Sequence, residues 1–229
     1  MQNVAIVAGS SRSDSQTSKV AHFIKQTLTS HHGLDANAVS VIDLGKQPLP
    51  LWPDDNADAW PAHEQLLSAA DAVIILAPEW HGMACPAIKN FFLYASKAQL
   101  AHKPAMLGSI SAGVGGAFPI SELRASSYKN CRLCYIPEHL IVRDVNHVLN
   151  GAEAESEADQ RLRDRLSDLA DVPDNVKEAL EIVPVSTADE ALKWALVGTL
   201  TPVEWDEATD PLPSRMPGAE PGPDAVISH

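Results

Sequence analysis

The chain has 229 residues, 45% of them hydrophobic, and a formal net charge of −13. That is room for one large domain with an extension; no apolar run reaches the roughly 18 residues that span a bilayer, and the first strand starts too close to Met1 to leave space for a signal peptide, so a cytoplasmic location is expected. The charge is lopsided, with 11 Lys+Arg against 12 Asp+Glu in residues 1–150 and 6 against 18 in residues 151–229, and with no basic patch nucleic acid is excluded as a partner.

Val4-Ala5-Ile6-Val7-Ala8 reads as a buried strand, followed at once by Gly9-Ser10-Ser11-Arg12-Ser13-Asp14-Ser15-Gln16-Thr17. From Ser15 to Leu28 the residues Val20, Phe23, Ile24 and Leu28 recur at helical spacing. Val39–Leu44 is a second strand, and 47–61 is a Pro- and Asp-rich loop with Trp52 and Trp60. A short helix over 63–70 leads to a third, fully buried strand over 71–77. Residues 86–98 form a helix opened by Pro86, with Ile88, Phe91, Phe92 and Ala95 on one face. A fourth strand covers 104–110, a fourth helix 119–128, and Leu140-Ile141-Val142 is the core of a fifth strand. Short apolar strands interleaved with helices mean a parallel sheet covered on both faces.

Beyond residue 150 the pattern weakens. Helices are expected over 158–169, with Leu162, Leu166 and Leu169 in register, and over 188–197. The six prolines between Pro202 and Pro223, mixed with Asp, Glu and Gly, read as a poorly ordered tail. The expected organisation is thus a domain over 1–150, a helical extension over 151–200 and the tail over 201–229. Cys85, Cys131 and Cys134 are too few for a disulfide framework, and the Cys131–Cys134 pair lacks the second pair a structural zinc needs. Buried thiols are expected instead.

A strand that delivers hydroxyls and one guanidinium to a helix start suits a phosphate. The first helical turn has N–H groups without internal partners, and its dipole favours an anion. Ser10, Ser15 and Thr17 can donate hydroxyl protons, Arg12 can grip two oxygens at once, and Gln16 stands in the same turn. Neither a Gly-Lys-Ser/Thr triphosphate loop nor a Gly-x-Gly-x-x-Gly dinucleotide fingerprint is present. A terminal monophosphate fits, and flavin mononucleotide (FMN) in an open parallel sheet is the usual case. In such a sheet, ligands lie outside the carboxyl ends of the strands. Two more loops emerge there: Pro78-Glu79-Trp80-His81-Gly82-Met83, and Ser109-Ile110-Ser111-Ala112-Gly113-Val114-Gly115-Gly116. Trp80 offers a broad aromatic face, and the small residues of the second stretch admit a flat ring against bare amides.

These motifs resemble those of the NADPH-dependent FMN reductase family, which includes quinone and azo-dye reductases. Ser10, Arg12, Ser15 and Thr17 lie on a Gly-Ser-x-Arg-x-x-Ser-x-Asn pattern, with Thr17 for asparagine. Pro78-Glu79-Trp80-His81-Gly82 and Pro86-Ala87-Ile88-Lys89-Asn90 are similar to Pro-Glu-Tyr-Asn-Gly and Pro-x-x-Leu-Lys-Asn, with Trp80 and His81 substituted. Ser111-Ala112-Gly113 with Gly115-Gly116 matches the loop at the pyrimidine side of the flavin. The resemblance covers about residues 1–145 and implies a flavodoxin-like, doubly wound five-stranded parallel sheet with an acidic C-terminal extension. It implies that Ser10, Arg12, Ser15, Gln16, Thr17, Pro78, Glu79, Trp80, His81, Gly82, Ser111, Gly113 and Gly116 hold FMN, and that NADPH or NADH is the reductant.

Because the flavin carries the chemistry, no catalytic acid, base or nucleophile is assigned, and no metal. The expected activity passes electrons through FMN to a small-molecule acceptor such as a flavin or quinone. The alternative is an FMN-binding electron carrier or redox-sensing partner without nicotinamide turnover, docking through its acidic region. The aromatic residues of the 86–98 helix, pointing several ways, add an expected homodimer or homotetramer.

Overall fold

The computed structural model describes residues 3–54 and 56–168. The helix expected at 188–197 and the tail at 201–229 lie outside the described residues, as does most of the acidic region. Five parallel strands form the sheet: β1 (Val4–Ala8), β2 (Val39–Asp43), β3 (Ala72–Trp80), β5 (Pro104–Ile110) and β6 (Cys134–Val142), in the order β2-β1-β3-β5-β6. A two-residue strand, β4 (Met83–Ala84), pairs antiparallel with the end of β3. This is the flavodoxin-like order, in which β1 and β3 flank the switch point where ligands bind.

Alternation along the strands sends side chains to two cores. Val7, Ile75 and Leu107 face α2 (Trp60–Ala69), α3 (Pro86–Tyr94) and α5 (Ala117–Ser126), where Phe91, Leu67 and Leu123 are buried. Ile6, Leu76 and Leu140 face α1 (Gln16–Ser30) and α6 (Glu157–Asp168) through Val20, Ile24 and Leu166. The central strands are apolar on both sides for that reason. Among the described residues no helix is long and apolar enough to cross a membrane.

Several elements differ from the sequence expectation. The helix expected over 86–98 stops at Tyr94, and α4 (Lys97–Leu100) begins separately. Ser96 is the cause: with Gln99 it forms a capping box, and the Gln99 side chain also donates to Glu64 at 2.7 Å. The aromatic residues of α3 turn largely inward. Phe91 is buried, Tyr94 donates to the Pro50 carbonyl at 3.1 Å, and Trp60 packs against both rings. The face from which self-association was expected is therefore reduced to Leu93, 57% exposed, beside a half-buried Phe92. Cys131 is buried as expected, but Cys134 is exposed, because it opens the edge strand β6. That strand runs nine residues, with the expected core Leu140-Ile141-Val142 at its C-terminal end. It carries an irregularity opposite Ala105–Leu107, where Arg124 donates to the carbonyls of Ile136, Pro137 and Glu138. Pro137 is tolerated there because only one side of β6 is paired.

Candidate flavin site

The phosphate loop is shaped by two glycines. A Cβ on Gly9 would sit 2.6 Å from the Leu76 carbonyl oxygen, so only glycine lets β1 pass so close to β3 and α3. A Cβ on Gly45 would sit 2.1 Å from the Arg12 carbonyl oxygen, so the turn after β2 is pressed directly onto the loop. Asp43, buried at the end of β2, ties the pieces together: it accepts from the Ser18 hydroxyl at 2.6 Å and from the Gly45 amide at 3.0 Å. Beneath the loop, the Cys85 thiol donates to the Gly9 carbonyl at 2.8 Å, and burial pushes its pKa up, keeping it a thiol.

Ser15 is the N-cap of α1, its Oγ accepting from the Ser18 amide at 3.0 Å, while its own proton stays free to donate. Ser10 is buried and its Oγ accepts from the Arg12 amide at 3.2 Å. Among the described residues, the amides of Gln16 and Thr17 and the Thr17 hydroxyl have no protein partner, although Thr17 is only 1% exposed. Unpartnered donors at the positive end of a 15-residue helix are what an anionic phosphate requires. The donor set therefore fits the phosphate of FMN.

From that cradle a cavity of about 540 Å³ extends along the strand ends, a size usual for a small-molecule site. Ser10, Arg12, Ser15, Gln16 and Thr17 form one end, and Pro78, Glu79, Trp80 and His81 a side wall. The Arg12 guanidinium lies over the Trp80 ring, 5.1 Å from its centroid, which joins the two loops. The stretch after the third strand, a loop by its sequence, folds as a hairpin. Trp80 pairs with Met83, and the two residues between, His81 (φ 52°) and Gly82 (φ 72°), are both left-handed. That is the type I′ turn that normally carries Asn-Gly. The His81 side chain is exposed and makes no hydrogen bond among the described residues.

Ser111, Gly113, Gly116 and Gly82 do not line the cavity; they shape its walls. The Glu79 carboxylate accepts from the Gly116 amide at the start of α5, with Gly116 left-handed at φ 104°. That amide is thus committed to Glu79. The remaining wall comes from Ile110 and Ala112 of the third loop and from Val145 and Asn146, which no sequence motif marked, with Asp14 of the first loop beside the phosphate cradle. Val145 and Asn146 follow β6, and the rule that ligands lie beyond the strand ends pointed there. This segment is stitched to the third loop by Asp144 N to Gly113 O (3.0 Å), Val145 N to Ser111 O (3.1 Å) and Arg143 Nε to the carbonyls of Val114 and Gly115. Lys19 of α1 fixes its far side, donating to the carbonyls of Val145 (2.7 Å) and Val148 (2.8 Å) and to Asn150 Oδ1 (2.8 Å). Burial lowers the Lys19 pKa, and the Asp159 charge partly restores it.

The family model for NADPH-dependent FMN reductases matches residues 2–147. The chain belongs to that family. The matched stretch takes in the whole described sheet and the cavity at its strand ends. The chain is 28% identical over 156 residues to an NADPH azoreductase from a Bacillus species, covering 65% of this chain and 80% of that one. In fold it is similar to FerB, a flavoenzyme NAD(P)H:(acceptor) oxidoreductase of Paracoccus denitrificans, at 21% identity and TM-score 0.56, covering 74% of this chain and 94% of that one. A 67-residue stretch is also 45% identical to a Lon protease of Azospirillum brasilense, covering 29% of this chain. The chain spans only 8% of that protease's length.

Proposed function

We propose that the chain binds FMN with its phosphate on the α1 cradle and its ring between the Pro78–His81 wall and the Ile110–Ala112 wall, and that it oxidises NADPH or NADH to reduce a flavin, quinone or azo acceptor. The observation that carries this is the set of unpartnered donors at Gln16 and Thr17 opening into a cavity that runs to Trp80 and His81. FMN, when bound, supplies the two-electron relay between nicotinamide and acceptor. The chain's own residues bind, orient and shield. Ser10, Ser15 and Thr17 donate hydrogen bonds to the phosphate and Arg12 offsets its charge, Glu79 holds the third loop in place through Gly116, and Trp80 covers one side of the cavity while its ring supports Arg12. Reductant and acceptor take turns at the open side, and no side chain need exchange a proton with either.

The test is spectroscopic. FMN added to purified apoprotein should lose fluorescence in a saturable way, NADPH should bleach its visible band, and a quinone should restore it. Arg12→Ala should weaken FMN binding by roughly tenfold or more, the worth of a charge-assisted phosphate contact. Absence of FMN uptake at saturation would overturn the reading.

A further inference from the structure

The Gly9–Ser10 peptide lies where β1 gives way to the phosphate cradle, and a glycine there leaves the peptide plane free to turn. Two bonds remove that freedom. The Gly9 amide donates to the Leu76 carbonyl at 2.8 Å, and the Gly9 carbonyl accepts from the Cys85 thiol at 2.8 Å. Among the described residues nothing else donates to that carbonyl. Cys85 is fully buried and is fixed as the N-cap of α3, with Pro86 opening the helix behind it. Burial pushes its pKa up against the pull of the Ile88 and Ala87 amides, so the sulfur retains the proton it donates.

The Gly9–Ser10 peptide is trans, and in a trans peptide the C=O and N–H point in opposite directions. Turning the Gly9 carbonyl onto Cys85, on the α3 side, therefore turns the Ser10 N–H away from α3. Ser10 lines the cavity and is only 2% exposed, yet its amide has no partner among the described residues. A buried donor left unpaired is costly, and it stands at the same end of the cavity as the free amides of Gln16 and Thr17. We propose that Cys85 is a positioning residue for the cofactor phosphate: its thiol proton holds the Gly9–Ser10 peptide so that the Ser10 amide donates to a phosphate oxygen. The assignment rests on the FMN reading and goes beyond it, because Cys85 does not line the cavity and acts only through Gly9.

The experiment measures FMN and riboflavin affinity side by side, by fluorescence titration of the apoprotein, because the two ligands differ only in the phosphate. Cys85→Ala removes the donor and should lower the FMN-to-riboflavin affinity ratio about tenfold, the scale of one hydrogen bond to a charged oxygen, with riboflavin affinity unchanged. Cys85→Ser keeps a donor, an O–H in place of the weaker S–H, and should restore most of the ratio. A role in packing alone would lower both affinities together, or only the Tm, and would overturn the proposal; so would a serine variant whose ratio is as low as that of alanine. A second measurement needs no variant. The Ser10 amide proton of the unaltered protein should shift downfield in NMR spectra when FMN is added and stay in place with riboflavin. An equal shift with the two ligands, or none with either, would overturn the proposal while leaving FMN binding intact, and no uptake of FMN at saturation would overturn the flavin reading as well.

Discussion

The two ends of the cavity are built in different ways. The phosphate end comes from one β-α crossover, with cap, hydroxyls and arginine all within residues 9–17, so its chemistry is local and depends on close backbone packing. The ring end is assembled from the tips of β3, β5 and β6, segments 30 or more residues apart, held by Glu79, Arg143 and Lys19 reaching across. A local site tolerates distant change but not a displaced backbone. An assembled one yields by degrees as each strut is removed.

The strongest way to break the contrast is Gly45→Ala. Its Cβ would meet the Arg12 carbonyl at 2.1 Å, both backbone atoms, so the loop must move. Overpacking of this kind costs about 1–3 kcal/mol, and loss of one charge-assisted phosphate contact should weaken FMN binding roughly 10- to 100-fold. At the ring end, Gly113→Ala meets nothing within 4 Å and should leave stability within about 0.5 kcal/mol. Denaturant melts and FMN fluorescence titration of the two variants give the comparison directly.

Next is Asp159, the buried carboxylate under the β6–α6 segment. Burial raises its pKa, but the Leu149 amide, Arg163 and the Glu155 amide outweigh that and hold it below the usual carboxylate value. A carboxyl with a depressed folded pKa contributes stability that is fully present above its unfolded value, about 3.9, and is lost as pH falls through the folded value. Asp159→Asn should therefore be less stable than the unaltered chain at pH 7, by about 1–3 kcal/mol for hydrogen bonds to a charged group. The gap should narrow as urea melts are taken below pH 4. A gap that stays constant with pH would show that the charge is irrelevant.

Glu79→Gln removes the charge from the strut to Gly116 at the α5 N-terminus. A loss of about 0.3–1 kcal/mol is expected, together with a lower acceptor rate and nearly unchanged FMN affinity. The smallest effect is His81→Asn, and it should be a gain. Asparagine suits the left-handed first position of the hairpin, recovering a fraction of the roughly 1–2 kcal/mol that this conformation costs. A rise in Tm without a change in FMN affinity would show that the hairpin tip is a conformational rather than a cofactor-binding feature.

The strands and the phosphate cradle were legible because their signals are short in range: continuous apolar runs, a cap residue, a cluster of hydroxyls. Ser96 was equally local, yet a helical apolar period running through it outweighed the capping box with Gln99. Asp43 and Gly45 gave no motif, since their role exists only where β2 lies beside β1. Val145 and Asn146 were hidden for the same reason, as the β6 end becomes a wall only once it pairs with β5. Trp80-His81-Gly82-Met83 reads from the sequence as a ligand-facing loop, and the hairpin that orders it depends on both left-handed residues.

From the amino-acid order alone came the alternation of strand and helix, the sheet class, the anion cradle and the reductase resemblance, because periodicity and capping act over a few residues. The folded chain decided which donors remain free, that Glu79 consumes the Gly116 amide, that the α3 aromatics point inward, and that a fourth strand end closes the cavity. Those outcomes are set by pairings between distant segments, where one close approach of backbones or one buried carboxylate determines what is left for a ligand.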